Sequence, residues 1–405
     1  MTPGTGPGRR SGRTPVTDPF WQAGLLVGTV AGAAVTVVTR RLERSARRGF
    51  VDWPTVEREA VARLRSAPGA LDRASLRASE AAYAAAMARV EPRLGEFLGS
   101  PLPGVVERTE VVDRAGWVAA NVGAFRTLIG RLEGRLLDEV VPPGAGLLRA
   151  LSAIANREIA NRQLAFLLSF MGARVLGQYD LALLSAESAP GRLLFVEENI
   201  RLTARTLDVP LDPFRTWIAL HEATHAFEFE AHPWLRPYLA ERLEAQLAAA
   251  STDAASLGRE ALAALGRRLR GEGEPGDHWL EAMMSPEQRR SFRETQALMS
   301  LLEGFSDYVM DEVGRDLVPE AATIGARFHE RRTRRSGSER AILRLTGMDL
   351  KLEQYARGER FVRSIADRGG REALARLWEG PATLPTSEEI AAPERWLRRT
   401  MGSEG

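Results

Sequence analysis

The pentapeptide His221-Glu222-Ala223-Thr224-His225 constrains this chain most, because it spends two of only five histidines in 405 residues one helical turn apart. Side chains four residues apart on a helix lie one above the other. Phe214, Trp217 and Ile218 precede the pair on the same side at spacings of three or four, so the periodicity predicts a helix over 214–230. Two imidazoles presented this way can bind one tetrahedral metal ion, and Glu222, turned partly to the side, can exchange a proton with a water beside that ion. A pair of hydrogen-bonded core histidines would account for the same apolar face. The third ligand therefore decides the matter.

That ligand comes from a short menu. The chain has no cysteine, which excludes disulfides, a thiol nucleophile, an iron–sulfur cluster and a Cys-rich zinc ribbon. Histidine and carboxylate remain, and zinc suits such a donor set. Other classes recede on composition. The 44% hydrophobic and 27% charged content is that of a folded protein. A net charge of +2 with no basic stripe gives no reason to expect a nucleic-acid partner.

His232 and Glu228 lie nearest in sequence, but both continue from the same helix without an intervening glycine, and one helix cannot surround an ion. Neither is chosen as a ligand. A second helix over 297–313 offers Glu303, with Asp307 one turn further on. The flanking sequence LLEGFSDYVM is apolar, and a buried carboxylate requires a partner or a metal. His221, His225 and Glu303 are thus the expected ligands. Asp307 is expected to accept a hydrogen bond from the outer nitrogen of a ligand histidine, and Gly304 to let the two ligand-bearing helices approach closely. Tyr308 and Tyr355, with His232 and His278 behind them, are candidates to donate to an oxyanion. His329 reads as a surface residue.

Along the chain, residues 1–18 are rich in Gly, Pro, Thr and Arg and read as a disordered tail. Residues 19–39 run 21 positions without a charge, and arginines cluster at 40–48. This 19–48 segment is either a membrane-associated helix, tethering a cytoplasmic domain by its basic flank, or a helix packed on a soluble fold. A folded domain is expected over 49–401. It reads as mainly α with a small β element: helix over 52–98 with a break near 69, a β-prone piece at 105–113, helix from near 114 and through 151–184, and a strand at 191–200. Asp212 and Pro213 read as the cap and first position of the next helix. Further helices are expected over 214–230, 233–268 and 286–313, and the Pro-rich tail is expected to run over the surface. No phosphate-cradling Gly loop is present, so no cofactor beyond the metal is expected. Oligomeric state is not legible here.

The blocks DRAGWVAANVGAF, VLGQYDLAL, GRLLFVEENI, LDPFRTWIALHEATHAFEFEAHPWLRPYL, LLEGFSDYVMDEV, GMDLKLEQYARGERFV and WEGPATLPTSEEIAAPERW occur in this order. Through them the chain resembles, over about 52–401, a zincin-like family of actinobacterial and chloroflexal proteins once described as a domain of unknown function. Its members carry hydrolase or coenzyme F420 biosynthesis-associated labels. The resemblance implies a zincin-like metallopeptidase fold, with the zinc motif's histidines on His221 and His225, the catalytic glutamate on Glu222, and the gluzincin E-x-x-x-D pattern on Glu303 and Asp307. It implies a Zn2+-dependent hydrolase acting on a peptide or protein substrate. By analogy with this broad class, FVEEN at 195–199 is the expected strand for holding the substrate backbone. Two other readings stay open at this point: a zinc-stabilised structural or binding protein without turnover, and a hydrolase of a non-peptide amide.

Overall fold

A computed structural model of the chain describes residues 51–102, 104–140, 146–179, 192–252, 285–333 and 350–402. Two compact units divide the chain. The larger, 51–136 and 159–405, carries the elements that position the site. The smaller, 1–50 and 137–158, is described only over helical residues within 137–140 and 146–158. The apolar 19–39 segment and the 1–18 tail lie outside the described residues. Among the described residues no helix is long and apolar enough to cross a membrane.

The architecture is mainly helical with one small sheet. The helices are α1 (Trp53–Arg65), α2 (Arg73–Leu98), α3 (Arg114–Val140), α4 (Gly146–Gly172), α5 (Glu197–Leu207), α6 (Leu211–Glu230), α7 (Leu235–Thr252), α8 (Pro286–Leu317), α9 (Ala321–Thr333), α10 (Leu350–Arg376), α11 (Ser387–Ala391) and α12 (Pro393–Met401). Strands β1 (Thr109–Val112), β2 (Gly177–Tyr179) and β3 (Leu193–Val196) form a sheet in the order β1-β3-β2. β1 runs parallel to β3 and β2 antiparallel to it.

Helix α6 is the spine of the core. Phe214, Thr216, Trp217, Ala219, Leu220, Ala223, Ala226 and Phe229 are all buried on it, as expected of a helix packed on every side. It lies against α2, α8, α5 and β2. It starts at Leu211, two residues earlier than expected. Asp212 sits inside the first turn instead of capping it, where its carboxylate accepts a hydrogen bond from Arg215 Nη1 at 2.7 Å. Helix α8 begins where the sequence places it, behind a capping box made by Ser285 and Gln288.

Two expectations change here. The helix expected through residue 184 ends at Gly172, and Gly177–Tyr179 is strand β2. The strand expected over 191–200 stops at Val196, and Glu197 opens α5. β3 is the middle strand, fully buried and paired on both edges, so it cannot take a substrate strand as expected for FVEEN. The polar residues after it brace the fold. The Glu197 carboxylate, fully buried, accepts from Tyr83 Oη at 2.8 Å, Arg201 Nε at 2.6 Å and Arg215. Burial raises its pKa, but these donors outweigh that and hold it below the usual carboxylate range. Glu198 accepts from Leu71 N at 2.8 Å and Arg114 N at 3.0 Å. Asn199 donates to the Gly172 and Val175 carbonyls, each at 2.7 Å. One short stretch thus ties α2, α3, α4 and α6 to the sheet.

Helices α8 and α10 cross in backbone contact. A Cβ placed on Gly304 would fall 2.5 Å from Glu359 N and closer still to Gly358. The close approach expected of Gly304 is therefore real, but its partner is α10 and not the histidine-bearing α6. The tail also does more than skirt the surface: Trp396 is fully buried and donates Nε1–H to the Thr383 carbonyl at 2.7 Å.

Candidate metal centre

Helix α6 presents His221 and His225 one turn apart, with ring planes at 83° and the two Nε2 atoms 3.2 Å apart. Across from them α8 brings Glu303, whose Oε2 lies 4.0 Å from His221 Nε2. One ligand atom from each residue lies within 4.8 Å of those of the others. Two nitrogens at about 2.05 Å from a tetrahedral zinc stand about 3.3 Å apart, so the imidazole spacing fits that ion and Glu303 needs only a small approach. All three side chains keep some exposure, 17% for His221, 15% for His225 and 19% for Glu303. The cluster opens to solvent.

Glu222 turns away from the ligands toward the sheet, where its Oε2 accepts a hydrogen bond from the backbone N–H of Tyr179 at 3.1 Å. The residue is buried, and burial pushes its carboxyl up to about 7; the nearby Glu303 charge adds to the rise and the His225 charge opposes it.

The outer nitrogen of His225 meets Glu228. Its Nδ1 stands 2.7 Å from Glu228 Oε2, with Ser306 Oγ at 3.3 Å on the same nitrogen. Burial alone would lower the His225 pKa, but the Glu228 charge and hydrogen bond override it and raise the imidazole to about 10. Glu228 is itself fully buried, which lifts its carboxyl to about 7 against the pull of His225. A metal ion competes with the proton on His225, so metal affinity rises with pH. The outer nitrogen of His221 stands 3.2 Å from Met310 Sδ. Glu303, Ser306 and Met310, at spacings of three and four, form the face of α8 turned to the histidines.

Of the residues singled out in the sequence, the structure thus brings His221, His225 and Glu303 together and sets Glu222 beside them. Asp307 is half-buried on α8, one turn beyond Glu303. The carboxylate on His225 is Glu228, which sequence reasoning weighed only as a ligand. Its offset of three from His225 was the available signal, since that spacing shares a helix face. Tyr308 is not brought to the cluster: its ring lies 6.2 Å from Phe97 and under the Arg363 guanidinium at 5.6 Å. The side chain of Tyr355, on α10, and His278 lie outside the described residues. His232 stacks on Trp378 at 4.9 Å, with Nδ1 2.9 Å from the Glu228 carbonyl oxygen, and His329 is exposed.

Glu303→Ala removes a ligand and is expected to weaken Zn2+ retention most. Glu228→Ala removes the support behind His225 and is expected to weaken it by about 10–100-fold. Competition with a chromophoric chelator measures both, and wild-type affinity in the Glu228 variant would show that the buried carboxylate does not act through His225.

The comparisons with known proteins agree with this geometry. The sequence signature of the zincin-like metallopeptidases matches residues 51–397. A solved structure from Chloroflexus aurantiacus, described as a "putative hydrolase with a novel fold", is 35% identical, with a TM-score of 0.65 over 88% of this chain and 100% of that one. No curated protein matches. The F420-associated label finds no support in either comparison. With the His-Glu-x-x-His helix, the carboxylate from a second helix and the family signature running through both, the chain belongs to the zincin-like metallopeptidases.

Proposed function

We propose that this protein is a zinc-dependent hydrolase that cleaves peptide bonds. The observation carrying this reading is the open His221–His225–Glu303 cluster with Glu222 beside it. A zinc ion with purely structural work is closed off by four protein ligands, whereas a hydrolytic one keeps a position for water. Three partly exposed protein ligands favour the second case.

Bound by these three residues, zinc would supply a Lewis acid for the scissile carbonyl and bring the pKa of a water to ~7. Glu222 takes the proton from the attacking water and returns it to the leaving amine. A carboxyl near 7 suits both transfers at neutral pH. Glu228 and Ser306 hold the His225 ring so that Nε2 faces the cluster. The strand beside the active helix is β2, an edge strand, and an extended substrate backbone is best accommodated along it.

The test is metal analysis of the full chain purified without chelators, with cleavage of a defined peptide mixture followed by mass spectrometry. About one Zn2+ per chain, and cleavage lost on chelation and restored by Zn2+, is the expected result. A chain that binds no Zn2+ at micromolar concentration would overturn the proposal. A loaded chain that cleaves simple acyl amides but no peptide would move the substrate class and leave the catalytic residues in place.

A further inference from the structure

Gly177 opens β2, and its backbone avoids the left-handed region that calls for glycine; the positive-φ glycines described are Gly69, Gly99, Gly370 and Gly402. A strand glycine without that excuse weakens the strand, because it adds chain entropy and packs nothing. Its neighbours explain it. A Cβ on Gly177 would meet Glu222 first, at 2.5 Å from Oε1, 2.6 Å from Cγ and 2.7 Å from Cδ. The space that a side chain would fill is the space that Glu222 occupies.

The same strand grips the carboxylate at a second point, where Tyr179 N–H donates to Oε2 at 3.1 Å. Tyr179 is itself held in place. Its ring stacks on Phe229 at 5.7 Å, and its hydroxyl bonds Glu230, which Arg236 also contacts at 2.9 Å. Pairing with β3 sets the register, Gly177 opposite Phe195 and Tyr179 opposite Leu193. Room at one residue and a fixed donor two residues on leave Glu222 little choice of rotamer.

We infer that the outer edge of β2 is a seat for Glu222, with Gly177 and the Tyr179 N–H as positioning elements that act through this carboxylate. The inference rests on the hydrolase reading for the use made of Glu222, though the seat itself is a packing relation. Gly177→Ala is compatible with the backbone, and the group it strikes is a side chain and not main chain. The fold is therefore expected to survive while the carboxylate is displaced.

Two measurements on the full chain test this. In the first, thermal unfolding is compared for wild type, Gly177→Ala, Glu222→Ala and the double variant. The Tm change caused by Gly177→Ala is expected to be more favourable by several degrees when Glu222 is Ala, because the added methyl then enters vacated space. Equal Tm changes in the two backgrounds would overturn the inference. In the second, the visible spectrum of Co2+-loaded protein is followed across pH for wild type, Glu222→Gln and Gly177→Ala. The Gly177 variant is expected to bind Co2+ as wild type does and to follow the Glu222→Gln profile; a wild-type profile would overturn the seat. If wild type and Glu222→Gln coincide, the reading of Glu222 as base fails, and the Tm coupling alone decides the seat.

Discussion

Glu222→Gln is expected to lower the rate of peptide cleavage by about 10²–10⁴-fold, the usual contribution of a general acid–base group, with Zn2+ content unchanged. The replacement keeps size and shape, so the side chain still fits against Gly177, and its amide oxygen still accepts the Tyr179 N–H bond that Glu222 takes at 3.1 Å. What it loses is the ability to carry a proton. None of the three clustered ligands is touched, since Glu222 stands outside the His221–His225–Glu303 set. Metal analysis and cleavage rates on the same preparation separate the two effects. Near wild-type turnover with full metal content would remove Glu222 from the mechanism.

Gly358→Ala is expected to be the most damaging substitution outside the cluster. A Cβ there would stand 2.8 Å from the Ser300 carbonyl carbon and closer still to its oxygen. Both atoms are main chain of α8, so no side-chain rotation relieves the clash and the helices must separate. Overpacking costs typically about 1–3 kcal/mol and sometimes more, and a backbone-to-backbone clash belongs at the upper end. Separation would also shift Glu303, which adjoins Gly304 at the same crossing, so Tm and Zn2+ affinity are expected to fall together. Gly123→Ala is the control: that glycine lies on helix α3 with open space around it, and alanine there should stabilise by up to about 1 kcal/mol. A Gly358 variant that unfolds like its control would refute the account of the crossing.

The part of the site set by local spacing was legible in the sequence. His221 and His225 share a face because a helix repeats every 3.6 residues, and the apolar run before them is that helix's own signature. Glu303 was legible for a different reason, a carboxylate set in an otherwise apolar helix. The capping box at Ser285 and Gln288 likewise depends only on neighbours in the chain. Mainly helical architecture with a small sheet follows from the same local signals.

Tertiary packing decided the rest. β2 is three residues long, too short for an alternating pattern, and becomes a strand only because β3 pairs with it. Glu197, Glu198 and Asn199 are polar by sequence yet buried, since their partners arrive from α2, α3, α4 and α6, the nearest of those elements beginning 14 residues away in the chain and the rest much further. Gly304 announces a close approach without naming the helix it meets, and Glu228 reads as a spare charge until His225 is seen against it. The sequence alone therefore determined the chemistry that the histidine helix carries, because hydrogen bonding along one helix sets that spacing. Which distant groups orient those side chains was left to the fold, because burial and pairing are properties of the packed chain.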